Sequence, residues 1–331
     1  MPEPDARIRA QPGHGVFATL LASVLTAAAL YLVFRRIDSG QLWAALARQD
    51  PRWLVAAAAL IVLQILSGGA RWRALLTALD DTTAVSLRGA CAAFYSAAFL
   101  NNFALGTIGG DIARIWLARR FERPLGQIIL SVVLDNVVGL IGVVFMALLT
   151  LPAISHPWAM ASWLACLGLL SLFLVVLCCL RPIERAFGRE PKPRAAAFVL
   201  RLAKTIRSLT TNRMAAVAVL YAMLSALCVG LSAYFVALSL GIELSATAAM
   251  AVMAMVLLAT ALPISIAGWG IREASLVTML GLLGTSNEPA LLLSLEFGLL
   301  TMLASLPGGA LWLLVRDETA AERGRASSVL S

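Results

Sequence analysis

Charge is what this sequence has least of. Only 13% of its 331 residues are Asp, Glu, Lys or Arg, against 60% hydrophobic, and the mean hydropathy is +0.88. That balance excludes a soluble enzyme, because uncharged apolar runs of about 20 residues, the length that crosses a bilayer, recur along the chain. Histidine is nearly absent: His14 and His156 lie far apart in flanking or loop segments, which leaves no His-based metal site or catalytic triad. The five cysteines, Cys91, Cys166, Cys178, Cys179 and Cys228, sit in apolar runs without metal-ligand spacing and read as small hydrophobes. No GxxxxGK[ST] phosphate loop occurs, so any transport is passive, ion-coupled or driven by a partner. Neither a cofactor nor a metal is expected.

The charge that is present is mainly basic, with 26 Lys/Arg against 18 Asp/Glu. In a soluble protein this would suggest nucleic acid. Here the basic residues fall mostly in short loops between apolar runs, the distribution that the positive-inside rule produces, and no nucleic-acid partner is expected. Residues 1–15 read as a polar tail, 16–315 as the transmembrane domain and 316–331 as a second tail, both tails cytoplasmic. The run at 16–34 is too long for a removable signal peptide and lacks a small-residue cleavage site, so it reads as a retained anchor. The next span begins near Trp53 and passes Ser67-Gly68-Gly69, which puts Arg71 and Arg73 at the lipid headgroups. Further spans are expected at 125–151, 158–180, 214–240, 246–262, 271–284 and 290–315, with 89–120 as a re-entrant hairpin. The loop 181–213 holds nine Arg/Lys against two Glu and therefore faces the cytoplasm. The link 35–52 carries four arginines yet falls on the outer side, the one exception to that pattern. The fold class is an all-α polytopic membrane protein of about eight transmembrane helices, with two broken or re-entrant helices meeting at a central cavity.

Two interruptions stand out against the apolar background. In the first, Asn101-Asn102 lead into GTIGGDIAR, where Gly106, Gly109 and Gly110 break the helix and Asp111 is placed to cap a new one, with Arg114 one turn on and on the same face. The second is the 261–284 stretch, ALPISIAGWGIREASLVTMLGLLG, where Pro263, Gly268 and Gly270 precede Arg272-Glu273. Backbone freed at such breaks cannot face lipid and must be buried in protein or line a wet cavity. Thr107 to Arg114 and Ser265 to Arg272 echo one another: a hydroxyl, Ile, a small residue, Gly and, seven residues after the hydroxyl, Arg. Each break offers the N-terminus of a half-helix followed by Arg, which suits an anion, and in a membrane the natural anion is a lipid phosphate.

Two acidic positions lie inside spans. Asp135, beside Asn136, is either protonated, hydrogen-bonded within the bundle or paired with a cation such as Arg114 or Arg272. Glu296 either titrates, as proton coupling would require, or is satisfied within the bundle. Adjacent helical residues point about 100° apart, so Arg272 and Glu273 are expected to take separate partners, Glu273 with Arg114 and Arg272 with Asp111 or Asp135.

With NNFALGTIGGDIAR (101–114), SVVLDNVVGLIG (131–142) and LPISIAGWGIREASLV (262–277), the chain resembles the lysylphosphatidylglycerol synthase transmembrane-region family of flippase-like membrane proteins, over roughly residues 15–315. The resemblance implies a helical bundle whose broken helices meet in a lipid-accessible cavity for a charged headgroup. The headgroup would be an aminoacylated phosphatidylglycerol or a polyprenyl-phosphate sugar. Carried over by motif, Asn102, Gly109, Gly110, Asp111, Arg114, Asp135, Gly268, Gly270, Arg272 and Glu273 would line it. Asn101, Asn136, Ser265 and Glu296 complete the candidate headgroup-binding set. Leu105 stands where the family commonly has Pro, and Asn136 where an Arg often follows the Asp, which removes one cation. Only sixteen residues follow Val315, so neither the soluble aminoacyl-transferase domain of full-length synthases nor synthase activity is expected.

These observations lead to a lipid translocase, or a lipid-carrier protein, in a bacterial cytoplasmic membrane. Arg114 and Arg272 would hold the phosphate, and Asp111, Asp135, Glu273 and Glu296 would meet a cationic or hydroxyl-rich headgroup. The alternatives are a membrane enzyme acting on a polyprenyl phosphate, for which paired acids with metal-ligand spacing are missing, and a non-catalytic accessory to a glycosyltransferase or lipid-modifying enzyme.

Overall fold

A computed structural model describes residues 49–80, 85–121, 123–187, 205–261 and 271–313. Among the described residues the chain is helical, with no strand. Five stretches are long and apolar enough to cross a membrane: Pro51–Leu79, Leu125–Ala153, Pro157–Cys179, Arg213–Ser239 and Asn287–Leu313. A shorter apolar helix covers Ala246–Thr260. The expected crossing at 16–34, both tails and most of the basic loop lie outside the described residues.

Helix α1 (Pro51–Leu79) starts where Asp50 accepts the Arg52 N–H and Pro51 takes the first position, which needs no donor. It runs eight residues past Arg71, so Arg71 lies within the helix and not at its end. Helix α2 (Leu87–Leu100), capped by Ser86, passes into a π-helical turn (Asn101–Leu105) and then α3 (Gly106–Ala118). The chain doubles back here. Arg120 Nη2 donates to the Gly89 carbonyl at 2.8 Å, the Arg114 guanidinium lies over the Phe94 ring, and Asn101 Oδ1 accepts the Gly110 N–H at 2.9 Å. Each arm, at 1.5 Å per residue, is about 20 Å long and too short to cross a bilayer core of about 30 Å. Gly110 permits the close return, since a Cβ there would fall on the Asn101 amide.

Helix α4 (Leu125–Thr150) follows, then α5 (Pro157–Phe187), α6 (Arg213–Ser239), α7 (Ala246–Thr260), α8 (Ile271–Leu282) and α9 (Asn287–Ser305). Small residues bring the central helices together, as is usual where lipid supplies no hydrophobic drive between helices. Ser67 on α1 meets Ser225 on α6, Oγ to Oγ at 2.6 Å. Gly142 on α4 approaches the Ala222 backbone of α6 so closely that a Cβ would lie 2.5 Å from the carbonyl oxygen. Ile61, Ile65, Met253, Leu276, Leu293 and Phe297 fill the core between α1, α7, α8 and α9. Helix α5 stands apart from this packing. Only 6% of its span is buried, against 33–39% in the other four, and Leu164, Leu172 and Val175 face outward.

The two ends of the bundle differ in charge. At one end Arg123 donates to the Leu76 and Asp80 carbonyls, Asn212 to the Ala78 carbonyl, and Trp116 packs on Trp312. Arg88, Arg119, Arg120, Arg123 and Arg213 gather there. The other end, marked by Trp53 stacked on Phe235, carries Asp50, Glu243 and Glu288, with Arg52 the exception.

Candidate functional site

Asp135 is the centre of the most heavily charged region inside the bundle. Helix α4 places it ten residues, about 15 Å, beyond Leu125, where it is wholly buried. Arg71 approaches from α1 side-on, with Nε donating to Oδ1 at 2.6 Å and Nη2 to Oδ2 at 3.0 Å. Arg114 comes from α3 and donates through Nη1 to the same Oδ2 at 2.6 Å. Through Nη2 it also holds Asp111, one turn earlier on its own helix, at 2.5 Å. Asn136 closes the circuit: its Nδ2 donates to Asp111 Oδ2 at 2.9 Å, and its Oδ1 lies 3.4 Å from Arg114 Nη2.

Two arginines and two carboxylates sum to zero, the condition under which charges persist inside an apolar bundle. The Arg114 guanidinium lies 5.7 Å from the Trp72 ring and 5.0 Å from the Phe94 ring, which supply the π faces a cation prefers. Trp72 is itself fixed by Nε1 donating to Ser131 Oγ at 3.0 Å.

The cluster opens to one side. Side-chain exposure rises from 1% at Asp135 and 5% at Arg114 to 30% at Asp111, and Asn136 is exposed. Around this polar lip the bundle surface is apolar, with Ile112, Val133 and Val137 exposed. Arg71 Nη1 makes no hydrogen bond among the described residues and lies beside Gly139, where a Cβ would sit 3.2 Å from it.

The structure corrects several expectations. Gly109 and Gly110 do not break the helix and Asp111 does not cap it, because the reversal falls at the π-helical turn and α3 begins at Gly106. Asp111 is instead paired within the helix. Asn101 and Asn102 are not in the ion cluster: Asn101 holds the returning helix of the hairpin at Gly110, and Asn102 Nδ2 donates to the Ala98 carbonyl and to Ser305 Oγ on α9. Arg71 is not at the headgroups, since the buried Asp135 draws it inward. Its place could have been read from the sequence, because a carboxylate deep in a span demands a cation, and Gly68-Gly69 allow α2 to come close just before it.

Arg272 and Glu273 pair with each other and not with the first cluster. Arg272 donates through Nε at 3.0 Å and Nη2 at 2.6 Å to Glu273 Oε1, because its long stem spans the angle between adjacent helical positions. Glu273 is wholly buried, and the guanidinium lies across Gly298 of α9, where a Cβ would overlap it. Glu296 receives Gln49 Nε2 at 2.8 Å. Pro263, Ser265, Gly268 and Gly270 lie outside the described residues, and so does the second break with its echo of the first.

Residues 19–308 match the family model for the lysylphosphatidylglycerol synthase TM region. No curated protein matches the chain.

Proposed function

This chain belongs to the lysylphosphatidylglycerol synthase transmembrane-region family, and on that premise we propose that it is a lipid translocase or lipid-carrier protein. Its ligand in this reading is an anionic or aminoacylated phospholipid, or a polyprenyl-phosphate-linked headgroup. The observation that carries the reading is the polar lip of the Asp135 cluster, set in an apolar surface. A soluble anion has no route to such a lip through hydrocarbon, whereas a lipid brings its headgroup there with its acyl chains along the exposed Val133 and Val137. The unpartnered Nη1 of Arg71 gives a phosphate oxygen a donor without dismantling the neutral cluster. Asp111 and Asn136 would meet an amine or hydroxyl. The Arg272–Glu273 pair supplies a second charged level.

In this reading the protein is not an enzyme. It resides in a bacterial cytoplasmic membrane with its arginine-rich end inside, as the positive-inside rule requires. The short hairpin 87–121 enters from that inner side and returns to it.

The test is native mass spectrometry of the detergent-purified protein with its co-purified lipids, comparing wild type with Arg71→Ala and Arg272→Ala. Arg71→Ala leaves Asp135 paired with Arg114. Retention of one phospholipid or polyprenyl-phosphate class by wild type, lost in both variants, is expected. The same bulk lipids on all three would overturn the reading. They would favour a non-catalytic accessory to a glycosyltransferase or lipid-modifying enzyme, a role that the one-sided packing of α5 suits.

A further inference from the structure

We propose that Glu296 is a proton-binding site, distinct from the Asp135 cluster and set in the opposite half of the bundle. The proton site stands on Glu296 itself; its coupling to lipid movement rests on the translocase reading.

Position comes first. Glu296 lies nine residues into α9, about 13 Å along it from its start, and meets Gln49 just ahead of α1. The Asp135 cluster is nearer the arginine-rich end, with only about 12 Å of α1 beyond Arg71. The two sites therefore occupy different levels.

Partners come second. Asp111, Asp135 and Glu273 each hold an arginine. Glu296 is half-buried and holds only the Gln49 amide, and among the described residues no cation lies within ion-pair distance of it. The charged groups on the helices packed against α9 are bound to other partners, exposed or distant. Arg272 on α8 is bound to Glu273 and crosses α9 at Gly298, a position rotated about 200° from Glu296 around the helix. Arg71 on α1 is bound to Asp135, and Arg73 donates to the Val85 carbonyl. Arg52 is exposed on the first turn of α1, and Asp50 is turned to the Arg52 N–H. Arg88 and Arg213 belong to the far end of the bundle. Of the tyrosines, Tyr95 on α2 donates to the Ala304 carbonyl.

An unpaired carboxylate in an apolar bundle sheds its charge by taking a proton. The chemistry is a plain addition: a proton from water at the acidic end joins Oε1, and no other bond changes. A protonated carboxyl and a primary amide are complementary, because the amide N–H meets the carbonyl oxygen, as Gln49 does here, and the acid O–H meets the amide oxygen. Gln49 can therefore hold both forms of Glu296 in one place. With the arginine-rich end inside, protons reach Glu296 from the outer face and headgroups meet the Asp135 cluster from the inner one. Opposed entry of this kind suits exchange of a proton for a lipid.

The proton site is tested on the full chain in detergent with dicyclohexylcarbodiimide, which modifies protonated carboxyls in apolar surroundings, followed by peptide mass spectrometry. We expect modification of Glu296 that is lower in alkaline than in acid buffer, none at the arginine-bound Asp135 and Glu273, and loss of the adduct in Glu296→Gln. No adduct at Glu296, or an equal adduct across the pH range, overturns the site. Coupling is read separately in proteoliposomes with a fluorescent phosphatidylglycerol. An imposed pH gradient should speed its translocation by wild type and not by Glu296→Gln. Equal gradient responses would overturn coupling while the labelling result stands, and no translocation by wild type under any gradient would instead count against the translocase reading.

Discussion

Arg71 and Asp135, 64 residues apart in sequence, meet side-on through two parallel hydrogen bonds of 2.6 and 3.0 Å. The fork matches the two carboxylate oxygens, and only a guanidinium can supply it. Arg114 then adds a third donor to the same carboxylate, so α1, α3 and α4 are held through a single side chain.

Asymmetry in that arrangement gives the first prediction. Asp135→Ala strands the Arg71 guanidinium, leaves Arg114 with Asp111 alone, and should cost about 3–5 kcal/mol. Arg71→Ala leaves Asp135 with Arg114 and should cost less. Denaturation of the two variants in the same detergent measures the difference, and equal losses would contradict the shared-carboxylate geometry.

A second prediction concerns the hairpin turn. Gly110→Ala places a methyl on the Asn101 amide and should destabilise the protein by about 1–3 kcal/mol. Adding Asn101→Ala removes the obstructing atoms, so the double variant should recover part of the loss. A double variant whose deficit equals the sum of the single ones would show that the two residues do not touch.

Gly298→Ala tests how the second pair is held. The new Cβ meets the far end of Arg272, so the guanidinium must shift away from the wholly buried Glu273. Thermal stability is expected to fall, by up to about 3–5 kcal/mol if the pair is broken, and lipid retention in native mass spectra is expected to fall with it, as expected for Arg272→Ala. Wild-type retention would place the pair outside the headgroup site.

Trp72 separates two roles of one ring. Trp72→Phe keeps an aromatic face for Arg114 and loses the bond to Ser131, for which about 1 kcal/mol is expected. Trp72→Ala removes both the face and a wholly buried ring, for which about 3–5 kcal/mol is expected. Chemical denaturation in detergent resolves the two. A Phe variant as damaged as the Ala variant would mean that the indole N–H, not the ring face, dominates.

Much of the helical frame was legible from hydropathy. The span expected at 125–151 is Leu125–Thr150, and that at 214–240 is Arg213–Ser239. The Asp111–Arg114 contact followed from a three-residue spacing on one helix. Contacts that depend on reach or on distant approach were not legible. Arg71 was assigned to the headgroups because about 20 apolar residues already fill a bilayer, and counting does not say that the helix tilts or runs on past them. Arg272 and Glu273 were separated by the angle between their Cα–Cβ bonds, which ignores the length of an arginine stem. The reversal lies at Asn101–Leu105, ahead of Gly109 and Gly110, because a π-helical turn needs no glycine and leaves no mark in the sequence. Gln49 carried no signal at all, since nothing local to it points to a helix 247 positions away.

Two of the five groups in the first cluster, Asp135 and Asn136, arrive late in the life of the chain. Arg71 leaves the ribosome 64 residues ahead of Asp135, and Arg114 leaves 21 ahead. Until α4 enters the membrane Arg71 has no carboxylate and Arg114 has only Asp111, so α1 and the hairpin must wait at the water interface or inside the insertion machinery with one positive charge unmatched. Asp135 is then the residue that releases them, and its loss should be seen first in the cell, as chains that are made but not integrated and are cleared by membrane proteases.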